Sequence, residues 1–174
     1  MSTSVTLDVS RRRPFADGIA FGEIGAFERL EGVARFTIDP NAPGDVHIVD
    51  LDKAPRNADG LVEYSADFSI IKPEEMSKAN GRIFFDYGNR GNMRAIQFFN
   101  DAPASNDPIA AAHAGNGYLM RRGYVVANCA WQGDLWPGDG RMTINLPVAT
   151  DDGTPITGLV RSEFIVAAPG QACM

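Results

Sequence analysis

Between residues 61 and 71, Val62, Tyr64, Ala66, Phe68 and Ile70 fall on one side of the chain and Glu63, Ser65, Asp67 and Ser69 on the other. Successive side chains of a strand point to opposite faces, so an alternation of this length reads as a half-buried antiparallel strand. A strand needs partners, and the flanking sequence offers them. Residues 33–39 also alternate and end in Asp39-Pro40-Asn41. Proline fixes its own φ and restricts the residue before it, which favours a turn there. Residues 46–51 read as a short strand, followed by a loop over residues 54–60. Together these segments predict a β-meander over roughly residues 1–72.

The pattern then changes. Residues 82–87 are apolar without alternation, as expected of a strand covered on both faces inside a mixed or parallel sheet. A loop rich in Pro, Asn and Asp over residues 100–108 leads to residues 109–122, whose Ala, Leu and Met content suits a helix. Gly115 and Gly117 weaken its middle, and Gly123 stands where a helix-ending glycine belongs. Residues 124–130 form a second continuous apolar strand. Strand, loop, helix and strand in that order make a crossover unit, the building block of parallel sheets. Residues 141–148 and 156–166 return to β patterning around Asp151-Asp152-Gly153, a good hairpin turn. The expected fold class is α/β. A β-rich region, residues 1–72, joins a mixed-sheet core with a β insertion, residues 73–174, as one structural unit.

The chain has 174 residues, of which 44% are apolar and 22% charged, an ordinary globular composition. Its net charge of −6 repels a nucleic-acid backbone on average. The one basic cluster, Arg11-Arg12-Arg13, reads as a solvated segment. Cys129 and Cys173 are the only cysteines, too few for a disulfide scaffold. No secretory leader and no run of roughly 18 apolar residues is present, so a soluble, cytoplasmic protein without membrane or nucleic-acid partners is expected.

Several residues could carry chemistry. None of the eight serines lies in Gly-x-Ser-x-Gly, the strand-to-helix elbow that presents a nucleophile, and each reads as a surface serine. His47, in a short β segment, and His113, in the expected helix, have no metal-ligand spacing and read as structural. Cys129, within a strand, reads as a buried inert thiol. Asp50, Asp52, Asp134 and Asp139 recur in loops without a calcium-loop spacing and read as turn residues. No metal and no cofactor is therefore expected. Trp131, Gln132 and Trp136 belong to a loop in which two tryptophans bracket glycines. They could line an apolar substrate pocket or a subunit interface, or staple the loop to the core. Finally, Asn89-Arg90-Gly91-Asn92 follows the apolar run 82–87 directly. By themselves these residues read first as a turn. A sharp turn after a buried strand can also aim backbone N–H groups at a developing negative oxygen.

The successive stretches "GAFERLEGVARFTIDP", "IVDLDKAPRNADGLVEYSADFSIIKP", "GRIFFDYGNRGN", "GYLMRRGYVVANCAWQGD" and "ITGLVRSEF" resemble the N-terminal portion of a family of uncharacterised bacterial α/β-hydrolase-domain proteins, over about residues 20–165. The resemblance implies that residues 82–87 are the third strand of a hydrolase sheet and residues 124–130 the fourth. It makes Asn89, Arg90, Gly91 and Asn92 the oxyanion loop, with Arg90 or Gly91 as the donor. It also implies a serine hydrolase acting on carboxylic esters or related acyl compounds. The family's nucleophile elbow, acid and histidine lie downstream of the residues in this chain, so the chain alone is expected to be inactive. A small acyl substrate and a partner chain or homo-oligomer are the expected partners. A non-catalytic β-rich binding or assembly module is the alternative.

Overall fold

A computed structural model describes residues 3–136 and 138–161. Three long strands form the antiparallel meander: β1 (Ser4–Pro14), β2 (Phe27–Ile38) and β3 (Val62–Pro73). Two shorter ones complete the main path, β4 (Ile83–Asp86) and β5 (Val125–Cys129), in the order β1-β2-β3-β5-β4. The β3–β5 pair is antiparallel and the β4–β5 pair parallel. The sheet is thus mixed, and it runs unbroken across residue 72. β6 (Ile144–Asn145) adds to β3, and β7 (Thr150–Asp151) pairs with β8 (Thr154–Pro155) around Asp152 and Gly153. Both of those loop residues have positive φ, 46° and 80°, which gives a two-residue loop the twist a hairpin needs.

The strand ladder sorts the side chains. In register, Ile71, Val126 and Phe84 form one row across β3, β5 and β4, and Ile70, Ala127 and Phe85 form the next. The first row faces the main core, where Phe15, Phe21, Phe27, Leu119 and Met120 are buried. Each such aromatic or aliphatic side chain withdrawn from water contributes roughly 1.5–3 kcal/mol. Two short helices close this side, α1 (Ala95–Phe99) and α2 (Tyr118–Arg121). Asn100 ties them together from a fully buried position. Its Nδ2 donates to the Ala114 carbonyl at 3.0 Å, and its Oδ1 accepts from the Leu119 N–H at 3.0 Å. The opposite row is open to solvent at the β4 edge.

Several sequence expectations need correction. Residues 46–51 form no strand: local bonds such as Val46 N–H to the Ala42 carbonyl and Ile48 N–H to that of Asp45 close turns instead. The N-terminal segment is a strand, and Arg12 and Arg13 are ion-paired across the sheet to Glu28 and Glu31 rather than merely solvated. The helix over 109–122 is broken into a 3₁₀ turn (Ala111–Ala114) and α2, because Gly115 and Gly117 take φ of 53° and 66°. β4 is not covered on both faces: Ile83 is 67% exposed and Phe85 45%. The β patterning of 141–148 shrinks to the two residues of β6, which pair with Ser65 and Ala66 of β3. Residues 156–161 form no strand, and residues 162–166, like Cys173, lie outside the described residues.

Candidate functional site

The C-terminal end of β4 is pinned before it turns. Asp86 Oδ2 accepts the backbone N–H groups of Arg94 at 2.6 Å and Ala95 at 2.8 Å, capping the start of α1. The residues between must therefore leave the strand and return within a short span. They do so in a tight turn in which Asn89 and Asn92 exchange backbone hydrogen bonds, both 3.1 Å. Arg90 and Gly91 at its centre have φ of 53° and 77°, the signature of a type I′ turn. Glycine adopts this conformation freely, but an arginine there is strained. Four hydrogen bonds hold it. The Arg90 N–H donates to Gln132 Oε1 at 2.8 Å, and its guanidinium donates to both Asp134 carboxylate oxygens, at 3.1 and 3.0 Å, and to the Asp134 carbonyl at 3.1 Å.

The corner and the tryptophan loop are thereby one site. Trp131 Nε1 donates to the carbonyls of Tyr87 at 3.1 Å and Gly88 at 2.8 Å. The Met142 N–H donates to the Gly91 carbonyl at 3.0 Å, and Ile144 N–H to the Gln132 carbonyl at 3.2 Å. Asn106, which sequence reasoning missed, bridges further: its Oδ1 accepts the Met93 N–H and its Nδ2 donates to Asn92 Oδ1 and to the Asp139 carbonyl. Beneath lies a small cluster of Ala66, Met93, Ala130 and Met142.

The two expected N–H donors differ in access. Gly91 is buried against Leu135, Arg141 and Met142, and its N–H has no acceptor among the described residues. Arg90 is exposed, and its N–H is already engaged by an amide carbonyl oxygen. Hydrogen bonding from Arg90 holds the Asp134 carboxyl below the usual carboxylate range. Next to the corner, a groove of about 240 Å³ is lined by Phe36, Tyr64, Phe85, Tyr87, Cys129 and Trp131 among others. Trp131 thus both staples its loop and lines the groove. Gln132 and Trp136 do not line it, and Trp136 is 83% exposed. Burial, and secondarily Asp67, pushes the Cys129 thiol upward, away from the reactive thiolate.

No described serine is paired with a histidine by a hydrogen bond. His113 Nδ1 accepts the Ala110 N–H at 3.1 Å, a local cap, and His47 sits exposed in a turn rather than a strand. Ser69 departs from the surface expectation. It is 1% exposed and accepts a hydrogen bond from Arg29 Nε at 2.9 Å. Arg29 itself is buried and pairs with Glu31 at 2.9 Å and Asp107 at 2.5 Å. Arg13 reaches the same two carboxylates. This network closes one wall of a second cavity, of about 470 Å³, and leaves the four charges paired with one another. Among the described residues no three His, Cys, Asp or Glu side chains converge on a metal-sized site, and no helix is long and apolar enough to cross a membrane. No protein-family model, no curated protein and no solved structure matches the chain.

Proposed function

We propose that this chain forms the N-terminal part of a serine hydrolase acting on carboxylic esters or related acyl compounds, with the corner Asn89-Arg90-Gly91-Asn92 as its oxyanion loop. One observation carries the reading: at the end of a strand in a parallel pair, a strained turn presents a backbone N–H to a carbonyl oxygen, 2.8 Å away. In a hydrolase of this kind one oxyanion donor comes from the loop after the third strand and the other from the residue following the nucleophile. A pre-oriented donor of this sort stabilises the charge that develops on the carbonyl oxygen in the transition state. The groove lined by Phe85 and Trp131 fits an apolar acyl group.

The nucleophile, the acid and the histidine are then supplied by polypeptide that pairs with the free edge of β4 and covers Ile83, Phe85 and Tyr87. Parallel strands are ordinarily buried on both faces, and here one face is open. Without the triad the remaining donor supports at most weak catalysis. The test is the DNA following the codon for Met174 and the polypeptide it specifies. The longer product should carry a Gly-x-Ser-x-Gly serine that reacts with a fluorophosphonate, and should turn over p-nitrophenyl esters. A longer product lacking that serine would sink the hydrolase reading. Fluorophosphonate-sensitive turnover by the 174-residue chain alone would sink its dependence on added polypeptide.

The open β4 edge also favours a second reading, a binding module that assembles through strand pairing with another copy of itself. Light scattering on the purified chain discriminates: a monomer at high concentration counts against it.

A further inference from the structure

We infer that Gln132 is a side-chain plug for the Arg90 N–H: its amide oxygen occupies the position that a substrate carbonyl oxygen takes, and substrate must displace it. The inference rests on the oxyanion-loop reading above and adds a regulatory step to the same site. Gln132 Oε1 is an sp² carbonyl oxygen, the same atom type as the acyl oxygen of an ester, and it lies 2.8 Å from the Arg90 nitrogen. The donor is thus satisfied within the chain, as an exposed N–H in a strained turn ordinarily would be by water or ligand.

The surroundings make the plug a rotamer rather than a loop movement. The Gln132 backbone is fixed, since its carbonyl accepts from Ile144 N–H at 3.2 Å and from Thr143 Oγ1 at 3.4 Å. Gly133 packs so closely on the Ile144 carbonyl that a Cβ there would sit 2.7 Å from its oxygen. The Arg90 backbone is fixed as well, by the paired Asn89 and Asn92 and by its guanidinium on Asp134. Only the Gln132 side chain, which is half-buried, is left to swing. Its departure exposes the N–H without unlocking the turn. The remaining candidate donor, Gly91, is buried, so the state of Gln132 decides whether the corner offers any accessible donor. One neutral hydrogen bond of this kind biases a two-state equilibrium by about fivefold, and a site competent for that fraction of the time binds correspondingly weakly.

The experiment follows the Arg90 amide by nuclear magnetic resonance in the intact chain, with acetate as the carboxylate probe. In the wild type the Arg90 amide proton should be protected from solvent exchange and respond weakly to acetate. Gln132→Leu, of similar size but without an acceptor, should speed its exchange about fivefold and tighten the apparent acetate affinity by the same factor. Gln132→Glu restores an acceptor, and the amide shift should then follow the protonation of the new carboxyl as pH falls, which a merely structural side chain would not produce. Equal exchange and equal acetate response in wild type and Gln132→Leu overturn the plug. None of these readouts needs turnover. A longer polypeptide lacking a serine elbow therefore removes the hydrolase reading and leaves the plug standing, and an active one with an unresponsive Gln132→Leu does the reverse.

Discussion

Gly91→Ala tests whether the corner is packed against the tryptophan loop or merely lies near it. At φ 77° an added Cβ would sit 2.7 Å from the Met142 carbonyl oxygen, 2.8 Å from Leu135 Cδ1 and 2.9 Å from Arg141 Cβ. The oxygen belongs to the backbone and the arginine contact is at a Cβ, so neither can swing aside. Left-handed backbone costs an alanine about 1–2 kcal/mol, and overpacking of this kind adds about 1–3 kcal/mol. Restriction of the unfolded chain returns about 0.4–1 kcal/mol. The net loss should be about 3 kcal/mol, a large share of a domain stability of about 5–15 kcal/mol. Gly60 supplies the control. Its φ is also 77°, but no atom lies within 4 Å of a Cβ built there, so Gly60→Ala should lose only the backbone term, about 1 kcal/mol or less. In urea, with a slope of about 2 kcal/mol/M, the Gly91→Ala midpoint should fall by about 1.5 M and that of Gly60→Ala by under about 0.5 M. Equal midpoints for the two variants would refute the packing argument, because the backbone cost alone is common to both.

Other expectations follow from the same geometry. Asn100→Ala strands the Leu119 N–H and the Ala114 carbonyl in the core and should cost about 2–4 kcal/mol; a loss below about 1 kcal/mol in urea unfolding would contradict its role as the hub between α1 and α2. The Asp107 carboxyl lies below its ordinary range, chiefly through the hydrogen bond from Arg13. The stability it contributes is present above the unfolded carboxylate value of about 3.9 and is lost as pH falls through the lower folded value. Asp107→Asn should therefore flatten the fall in Tm between about pH 6 and pH 2, and superimposable Tm curves would count against the network. Ile83→Thr, on the open face of β4, should change the stability of the isolated chain by no more than about 0.5 kcal/mol; a loss of about 2 kcal/mol or more, the cost of opening a core cavity, would mean that something covers that face.

The sequence alone was informative where backbone period decides the outcome. The alternation over residues 61–71 located β3, the uninterrupted apolar runs located β4 and β5, and Asp152-Gly153 marked a hairpin. Val5, Leu7 and Val9 carried a comparable alternation that would have located β1. All three are exposed on an edge strand, so burial reinforces the pattern less there. Residues 46–51 misled because the same apolar content can pair as a strand or cover a groove from a turn. Here Ile48, Val49 and Leu51 line a groove with Val62, Tyr64 and Ile144, while the backbone satisfies itself locally.

For the site, the sequence singled out both halves, residues 89–92 and the loop holding Trp131, Gln132 and Trp136, but treated them separately. Arg90 and Gln132 are 42 residues apart, and nothing in the spacing pairs them. The parallel register of β4 and β5, Asp86 opposite Asn128, places the two strand ends side by side, and the loops that leave them must then share the same space. Periodicity is a property of a few consecutive residues and can be read from them. Which N–H meets which carbonyl, and which face of a sheet stays open, is settled only when distant segments are packed together.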